Sequence, residues 1–384
     1  MLILRVSSFS TTLPWVGWQS RLIASRKFQT WAAGFPLTRR LVRREGEALF
    51  DLLAGFCHSQ ILTALVKFEI PQNLMTAPTT SADLAVRCDV PPDRMDVLLR
   101  AAVALGLLKS KRAGRFALTR TGAALVGVPG LAQMISHHDV LYRDLSDPVK
   151  FFRGEVATEL ANFWPYVFGG GMAPDVAETY SDLMANSQIL VAEDTLRAVD
   201  FGASQTLLDV GGGSGAFLAA VGAAHPAVQL MLFDLPQVAP SAAARFADVG
   251  MTARAQISTG SFRTGPLPTG ADTISLIRVL YDHTDDTVAD LLAKCYAALP
   301  VGGRLVISEP MSGGVVPERA GDAYFALYTM AMRTGKARSA DEIAALCVEA
   351  GFGQIIRPKS LRPFVTKCVV ATKSSKKVSN LVDR

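Results

Sequence analysis

Three features predict an α/β chain with two folded domains. Strand-like and helix-like segments alternate from about residue 206, a glycine-dense turn joins the first of those strands to a helix, and a helix–turn–helix–hairpin pattern lies between residues 45 and 130. The C-terminal part reads as a Rossmann-like, doubly wound domain and the N-terminal part as a mainly helical winged-helix domain. With 384 residues, 49% hydrophobic and 19% charged, the chain is long enough for both cores and too apolar for disorder. It contains no run of about 18 consecutive apolar residues, so no spanning helix is expected.

Residues 1–44 form a basic extension. Arg5, Arg21, Arg26, Lys27, Arg39, Arg40, Arg43 and Arg44 all precede the first acid, Glu45. Such a segment suits contact with anionic lipid headgroups, a transit-peptide-like leader or a plain solvated extension. Residues 45–130 make the winged-helix domain. Leu49, Phe50, Leu52, Leu53 and Phe56 recur at helical spacing, and Ser81 precedes a short helix around Leu84–Val86. Pro91 and Pro92 mark a turn, and Met95, Leu98, Leu99, Ala102 and Val103 share one face of a helix over Arg94–Ala104. Leu107–Lys109 and Phe116–Thr119 then pair about Ala113 and Gly114. Arg100, Lys109, Lys111, Arg112, Arg115 and Arg120 give this domain the charge of a DNA-binding regulator. Its second helix, however, offers only Arg94 and Arg100 to base edges, so its apolar face fits dimerisation better and no nucleic-acid partner is expected.

Residues 131–200 read as a helical connector, 201–372 as the sheet domain and 373–384 as a short polar tail. Strands are expected at Thr206–Val210, Val228–Phe233, Thr273–Val279, Arg304–Ser308 and Phe364–Ala371. Helices are expected at Val288–Leu299 and Asp341–Glu349. Ser339 and Glu342 have capping-box spacing ahead of the second helix, and Gly351 closes it.

The turn after the first strand carries the chemistry. Asp209 precedes Gly211, Gly213 and Gly215, and Ala216 opens a helix. Glycine there lets a ligand lie against bare backbone. Asp234 ends the next strand, where a carboxylate accepts ribose hydroxyls. Gly211, Gly213 and Ala216 also satisfy the loose dinucleotide fingerprint, so NAD and a purely structural turn stay open beside S-adenosylmethionine. Asp209 favours the last, because dinucleotide folds place an apolar residue there and a carboxylate suits a cationic cofactor. The cysteines (Cys57, Cys88, Cys295, Cys347, Cys368) form no CxxC pair. No cluster has metal-ligand spacing, so metal-independent chemistry is expected.

The segments Arg278–Asp286, Leu299–Glu309 and Gly335–Ser339, behind the winged-helix pattern, resemble the plant caffeate-type O-methyltransferase family and its bacterial relatives. The resemblance implies a class I, S-adenosylmethionine-dependent O-methyltransferase that forms a homodimer. Asp209, Gly211, Gly213, Gly215, Asp234 and Arg278 would then serve the cofactor. Arg278–His283, Glu309–Gly314, Pro317–Tyr324 and Met332–Gly335, with Phe28–Arg39, resemble a branch from purple photosynthetic bacteria. That narrower match implies an apolar substrate, an acyclic carotenoid bearing a tertiary 1-hydroxyl (hydroxyneurosporene, demethylspheroidene). It also implies a cytoplasmic enzyme, peripheral to the inner membrane. A phenolic or polyketide-type acceptor is the alternative, and a DNA-binding regulator with a sensor domain the distant one.

The chain departs from the plant pattern at the reacting end. The family's basic histidine is replaced by Tyr281, followed by Asp282 and His283. A supporting acid is replaced by Ala337, another by Ser261, and an upstream lysine by Ile277 beside Arg278, while Glu309 is kept. A phenol, with a pKa of about 10, yields its proton to an imidazole, whereas a tertiary alcohol is far less acidic and must lose it late. Tyr281 is therefore expected to orient the hydroxyl, His283 or Asp282 to accept the proton and Glu309 to support them. By the same resemblance, His137 and His138 are candidates for the acceptor-pocket wall, and Met184 and Ser187 for contact with the cofactor or substrate.

Overall fold

The computed structural model describes residues 17–163 and 187–374; the expected leader before them, Met184 and most of the expected tail lie outside the described residues. The chain divides into two compact units after Thr119.

The first unit contains helices Trp18–Ala24, Arg26–Gly34, Arg39–Lys67, Ile70–Thr76, Ser81–Arg87 and Pro92–Ala104. Strands β1 (Thr79–Thr80), β2 (Leu108–Ser110) and β3 (Arg115–Leu118) form an antiparallel sheet in the order β1-β3-β2. One helix runs from Arg39 to Lys67 across the expected junction at residue 44, with the Arg43–Glu47 ion pair (2.7 Å) bridging it at i,i+4. Helix Arg120–Gly127, inside the expected 45–130 domain, packs with the second unit. The cap of the short helix is Thr80 rather than Ser81: its hydroxyl accepts from the Asp83 amide at 3.2 Å. Ala113 and Gly114 both take positive φ (57° and 63°), as a tight hairpin turn requires.

Helix Arg39–Lys67 is long and apolar enough to cross a membrane by length and composition, although a core or interface helix passes the same test. It leaves Leu49, Phe50, Leu52, Leu53 and Phe56 between 63% and 77% exposed.

The second unit is built on a seven-stranded sheet: β4 (Thr206–Val210), β5 (Gln229–Asp234), β6 (Ala255–Thr259), β7 (Thr273–Ile277), β8 (Arg304–Glu309), β9 (Gln354–Ile356) and β10 (Lys367–Thr372). The order is β6-β5-β4-β7-β8-β10-β9. The first five strands are parallel, and β10 is inserted antiparallel to both β8 and β9. The chain order reverses at β4, so the carboxyl ends of β4, β5, β7 and β8 face one crevice, where ligands of such sheets bind. Leu208, Val210, Ile274, Leu276, Leu305 and Ile307 fill one layer of core, and Leu207, Leu230, Leu232, Phe217 and Val306 the other. Burial on both faces explains why these strands read as nearly continuous apolar runs. The expected capping box forms: Ser339 Oγ accepts from the Glu342 amide (3.2 Å) and Glu342 Oε2 from the Ser339 amide (2.7 Å).

Candidate active site

At the end of β4 the chain turns through Gly211, Gly213 and Gly215, all at positive φ (70°, 57° and 73°). Gly215 and Gly213 do different jobs. A side chain on Gly215 would strike the Phe246 ring at 2.8 Å, so that glycine lets helix Ala239–Asp248 pack against the turn. A side chain on Gly213 would meet nothing within 4 Å, so the backbone there borders open space. Arg245 braces the turn from behind, donating to the Ser214 carbonyl at 2.9 Å.

Asp234 meets this turn at the end of β5. Its Oδ2 accepts from the Gly213 amide and its Oδ1 from the Leu235 amide, both at 2.7 Å. A carboxylate has about four acceptor sites, so two bonds fix its orientation and leave capacity for vicinal hydroxyls. Desolvation holds its pKa above the ordinary carboxylate value. Asp209 lies beneath the turn, 1% exposed: Oδ1 accepts from Ser275 Oγ at 2.6 Å, and Oδ2 has no partner. Burial raises this carboxyl to about 7.

The reacting end follows β7. Arg278 takes a left-handed conformation (φ 58°), a costly one for a bulky side chain. Its guanidinium reaches Ser187 Oγ (2.7 Å) and the Tyr281 hydroxyl (3.3 Å). Arg278 thus touches the expected orienting residue as well as Ser187, an expected contact of the cofactor or substrate. A short 3-10 turn over Leu280–Asp282 follows. Glu309, at the end of β8, accepts the Tyr281 amide at 3.1 Å through Oε2, while Oε1 is buried without a partner. Burial raises the Glu309 carboxyl to about 7. Asp282 Oδ1 is also buried and unpartnered, and burial lifts this carboxyl well above its ordinary range.

His283 is placed differently from a free base. Its Nδ1 lies 3.2 Å from the Arg263 guanidinium, its ring packs edge-on against Phe262, and burial with the Arg263 and Arg338 charges lowers its pKa to about 4. An imidazole so held is a weak proton acceptor at neutral pH. Arg338, fully buried, donates to the Leu280 and His283 carbonyls (both 2.9 Å) and to Asp285 (2.7 Å), clamping the turn. Arg263 and the clamping role of Arg338 have no local signal in the sequence. His137 and His138 face tyrosines of the following helical segment: His137 Nε2 lies 3.1 Å from the Tyr328 hydroxyl and His138 Nε2 2.7 Å from that of Tyr324. The spacing of Tyr324 and Tyr328, four apart, was the available signal for that wall.

The donor set tests the cofactor. Asp209, Asp234, Asp282 and Glu309 all lie at this sheet edge, with pKa values raised by desolvation. Such a row disfavours a pyrophosphate and suits a cation with a nucleoside, so the residues fit S-adenosylmethionine better than NAD. Among the described residues no group of three or more His, Cys, Asp or Glu is arranged to hold a metal.

The O-methyltransferase domain family matches residues 142–353, and the O-methyltransferase dimerisation domain matches residues 50–127. The chain belongs to the O-methyltransferase family. It is 53% identical over 357 residues to demethylspheroidene O-methyltransferase of Cereibacter sphaeroides, covering 92% of this chain and 94% of the relative. It is 49% identical over 358 residues to the demethylspheroidene O-methyltransferase of Rhodobacter capsulatus, covering 93% and 89%. Among solved structures, the SAH-bound methyltransferase CalO1 of calicheamicin biosynthesis superposes with a TM-score of 0.68 at 25% identity, over 86% of this chain and 98% of that one. This O-methyltransferase therefore carries both its catalytic and its dimerisation domain in one chain.

Proposed function

We propose that this O-methyltransferase methylates the tertiary 1-hydroxyl of an acyclic carotenoid such as hydroxyneurosporene or demethylspheroidene. The observation that carries the reading is about 50% identity, over nine-tenths of the chain, to two enzymes named for demethylspheroidene. The replacement of a basic histidine by Tyr281 supports it, because an alcohol needs positioning more than early deprotonation.

S-adenosylmethionine, when bound, supplies a methyl group on a positively charged sulfur. Gly211, Gly213 and Gly215 would let it lie on the backbone, and Asp234 would take its ribose hydroxyls. Asp209 supports the turn from below through Ser275. Tyr281, steadied by Arg278, orients the acceptor hydroxyl. Asp282 takes the proton at Oδ1, the buried oxygen with no partner, and Glu309 holds the turn through the Tyr281 amide. His283, tied to Arg263, positions rather than accepts.

The test is transfer of labelled methyl to detergent-dispersed hydroxyneurosporene beside a panel of simple phenols. A labelled carotenoid methyl ether with inert phenols is expected. Label in the phenols alone would overturn the substrate while leaving the family intact.

The working form in this reading is a homodimer, with the exposed apolar side of helix Arg39–Lys67 as part of its interface, sited in the cytoplasm against the inner membrane. The arm before it supports the membrane side. From residue 17 to 44 there is no acid, and Arg21, Arg26, Lys27, Arg39 and Arg40 pair with no described carboxylate. Between them Trp18, Trp31 and Leu37 are 49%, 54% and 83% exposed; Phe28 lies tilted against Trp31 at 5.6 Å, and Trp31 stacks on Phe35 at 5.0 Å. Sedimentation with anionic vesicles, weakened about fivefold per neutralised cation and absent with zwitterionic vesicles, is the expected result. Equal binding to both vesicle types would remove the electrostatic part of this placement.

A further inference from the structure

Two loops at the carboxyl edge of the seven-stranded sheet hold apolar side chains out in water. After β8 the chain turns through Gly313 and Gly314 and presents Val315 and Val316, 96% and 73% exposed. Ahead of β10 a second turn presents Leu361 and Phe364, 58% and 63% exposed. β8 and β10 are antiparallel, with Glu309 opposite Lys367. Both turns therefore rise from the edge where Glu309 holds the Tyr281 amide.

Neither turn is slack. Asp322 Oδ2 accepts the Gly313 and Glu318 amides at 2.7 and 2.8 Å, and a side chain on Gly313 would strike the Val316 carbonyl. In the second turn the Arg362 carbonyl accepts the Val365 and Thr366 amides at 2.8 and 3.2 Å, which puts Pro363 and Phe364 at the tip. The Arg362 guanidinium is anchored on Asp194 at 2.8 and 3.0 Å and on Glu193 at 2.9 Å. Lys367 Nζ ties the two turns together through Glu318 at 2.8 Å. Tips already held in place lose little freedom when they meet a partner.

The charge beside them is positive. Residues 350–382 contain seven lysines and arginines and no acid. The acids that touch the turns are engaged: Glu318 by Lys367, Glu193 and Asp194 by Arg362, and Asp322 by the two amides. Arg319 and Lys359, both exposed, pair with no described carboxylate. Apolar tips flanked by unpaired cations match an interface of acyl chains beneath anionic headgroups.

We propose that the 313–319 and 359–364 turns form a lipid-docking surface that seats this edge of the sheet on an anionic bilayer. Val315, Val316, Leu361 and Phe364 enter the headgroup boundary, and Arg319 and Lys359 meet its phosphates. An apolar acceptor then reaches the crevice without crossing bulk water. This rests on the membrane placement above, but on residues other than those of the arm.

The test uses the full-length protein with its exposed Cys57 and half-exposed Cys88 changed to serine. A polarity-sensitive NBD label is attached at Val316→Cys, at Phe364→Cys or, as a control, at Val301→Cys. Val301 is 64% exposed but precedes β8, at the opposite edge of the sheet. With phosphatidylglycerol vesicles that sediment the protein, emission is expected to shift to the blue at the first two sites and to stay in place at the third. Phe364→Ser, without label, is expected to weaken vesicle binding by about tenfold. Sedimentation with no shift in either turn, or with equal shifts at all three sites, would overturn the surface and leave the arm-based placement standing. Absence of sedimentation would end both. A blue shift on raising protein concentration without vesicles would assign the turns to a second copy of the chain and overturn the lipid reading.

Discussion

The two ends of the crevice are built by opposite means. At the cofactor end, the Gly211–Gly215 turn and Asp234 are held mostly by backbone: the Gly213 and Leu235 amides fix the carboxylate, and the Phe233 carbonyl takes the Gly211 amide at 2.8 Å. At the acceptor end, polar side chains are held by partners distant in the chain. Glu309 holds the Tyr281 amide, Arg338 the Leu280 and His283 carbonyls, and Arg263 the His283 ring, while Asp282 Oδ1 and Glu309 Oε1 stay unpartnered. Buried polar atoms without partners are costly, and they persist where a ligand or a proton is to be met. The cofactor end is held by local backbone and leaves one buried oxygen, Asp209 Oδ2, unpartnered; the acceptor end is held by distant side chains and leaves two.

That contrast is sharpened first at the cofactor end, where the largest loss is expected. Asp234→Ala removes the carboxylate from both amides and from the ribose, and weakens S-adenosylmethionine binding by about a thousandfold, as measured by calorimetry. Retained affinity would mean that the ribose is held elsewhere.

A smaller effect is expected in stability. Asp209 and Glu309 titrate at about 7 in the folded chain, against 3.8 and 4.5 for ordinary carboxyls. The folded form therefore binds more protons than the unfolded form between about pH 4 and pH 7. Their contribution to stability is greatest below that window and falls as pH rises through it, by roughly 3 to 4 kcal/mol per group. Melting temperature of the ligand-free protein should drop from pH 5 to pH 7.5, and Asp209→Asn should flatten the slope. An unchanged slope in that variant would place the proton elsewhere.

The same contrast explains what the sequence disclosed. Glycines at positive φ, a strand-ending acid and a Ser339/Glu342 capping box are local requirements, so spacing alone reveals them. Strands β4, β5, β7, β8 and β10 were legible because both faces are buried, although the last was expected to begin three residues earlier. Edge strands β6 and β9 were not, since half-exposed segments such as Ala255–Thr259 show neither an apolar run nor clean alternation. The π-helix over Arg319–Phe325 has no composition of its own. The weakness of His283 as a base was hidden for another reason: its environment comes from Arg263 and Arg338, 20 and 55 residues away. The family resemblance marked the 281–283 segment as the reacting end, and tertiary packing gives each of its side chains a different environment.

The most direct measurement is the single-turnover rate of methyl transfer in Asp282→Asn and His283→Gln, at saturating cofactor and with the same acceptor. A loss of about a hundredfold or more is expected in Asp282→Asn and less than about tenfold in His283→Gln. A near-normal rate in Asp282→Asn with collapse in His283→Gln would contradict it and return the proton to the imidazole.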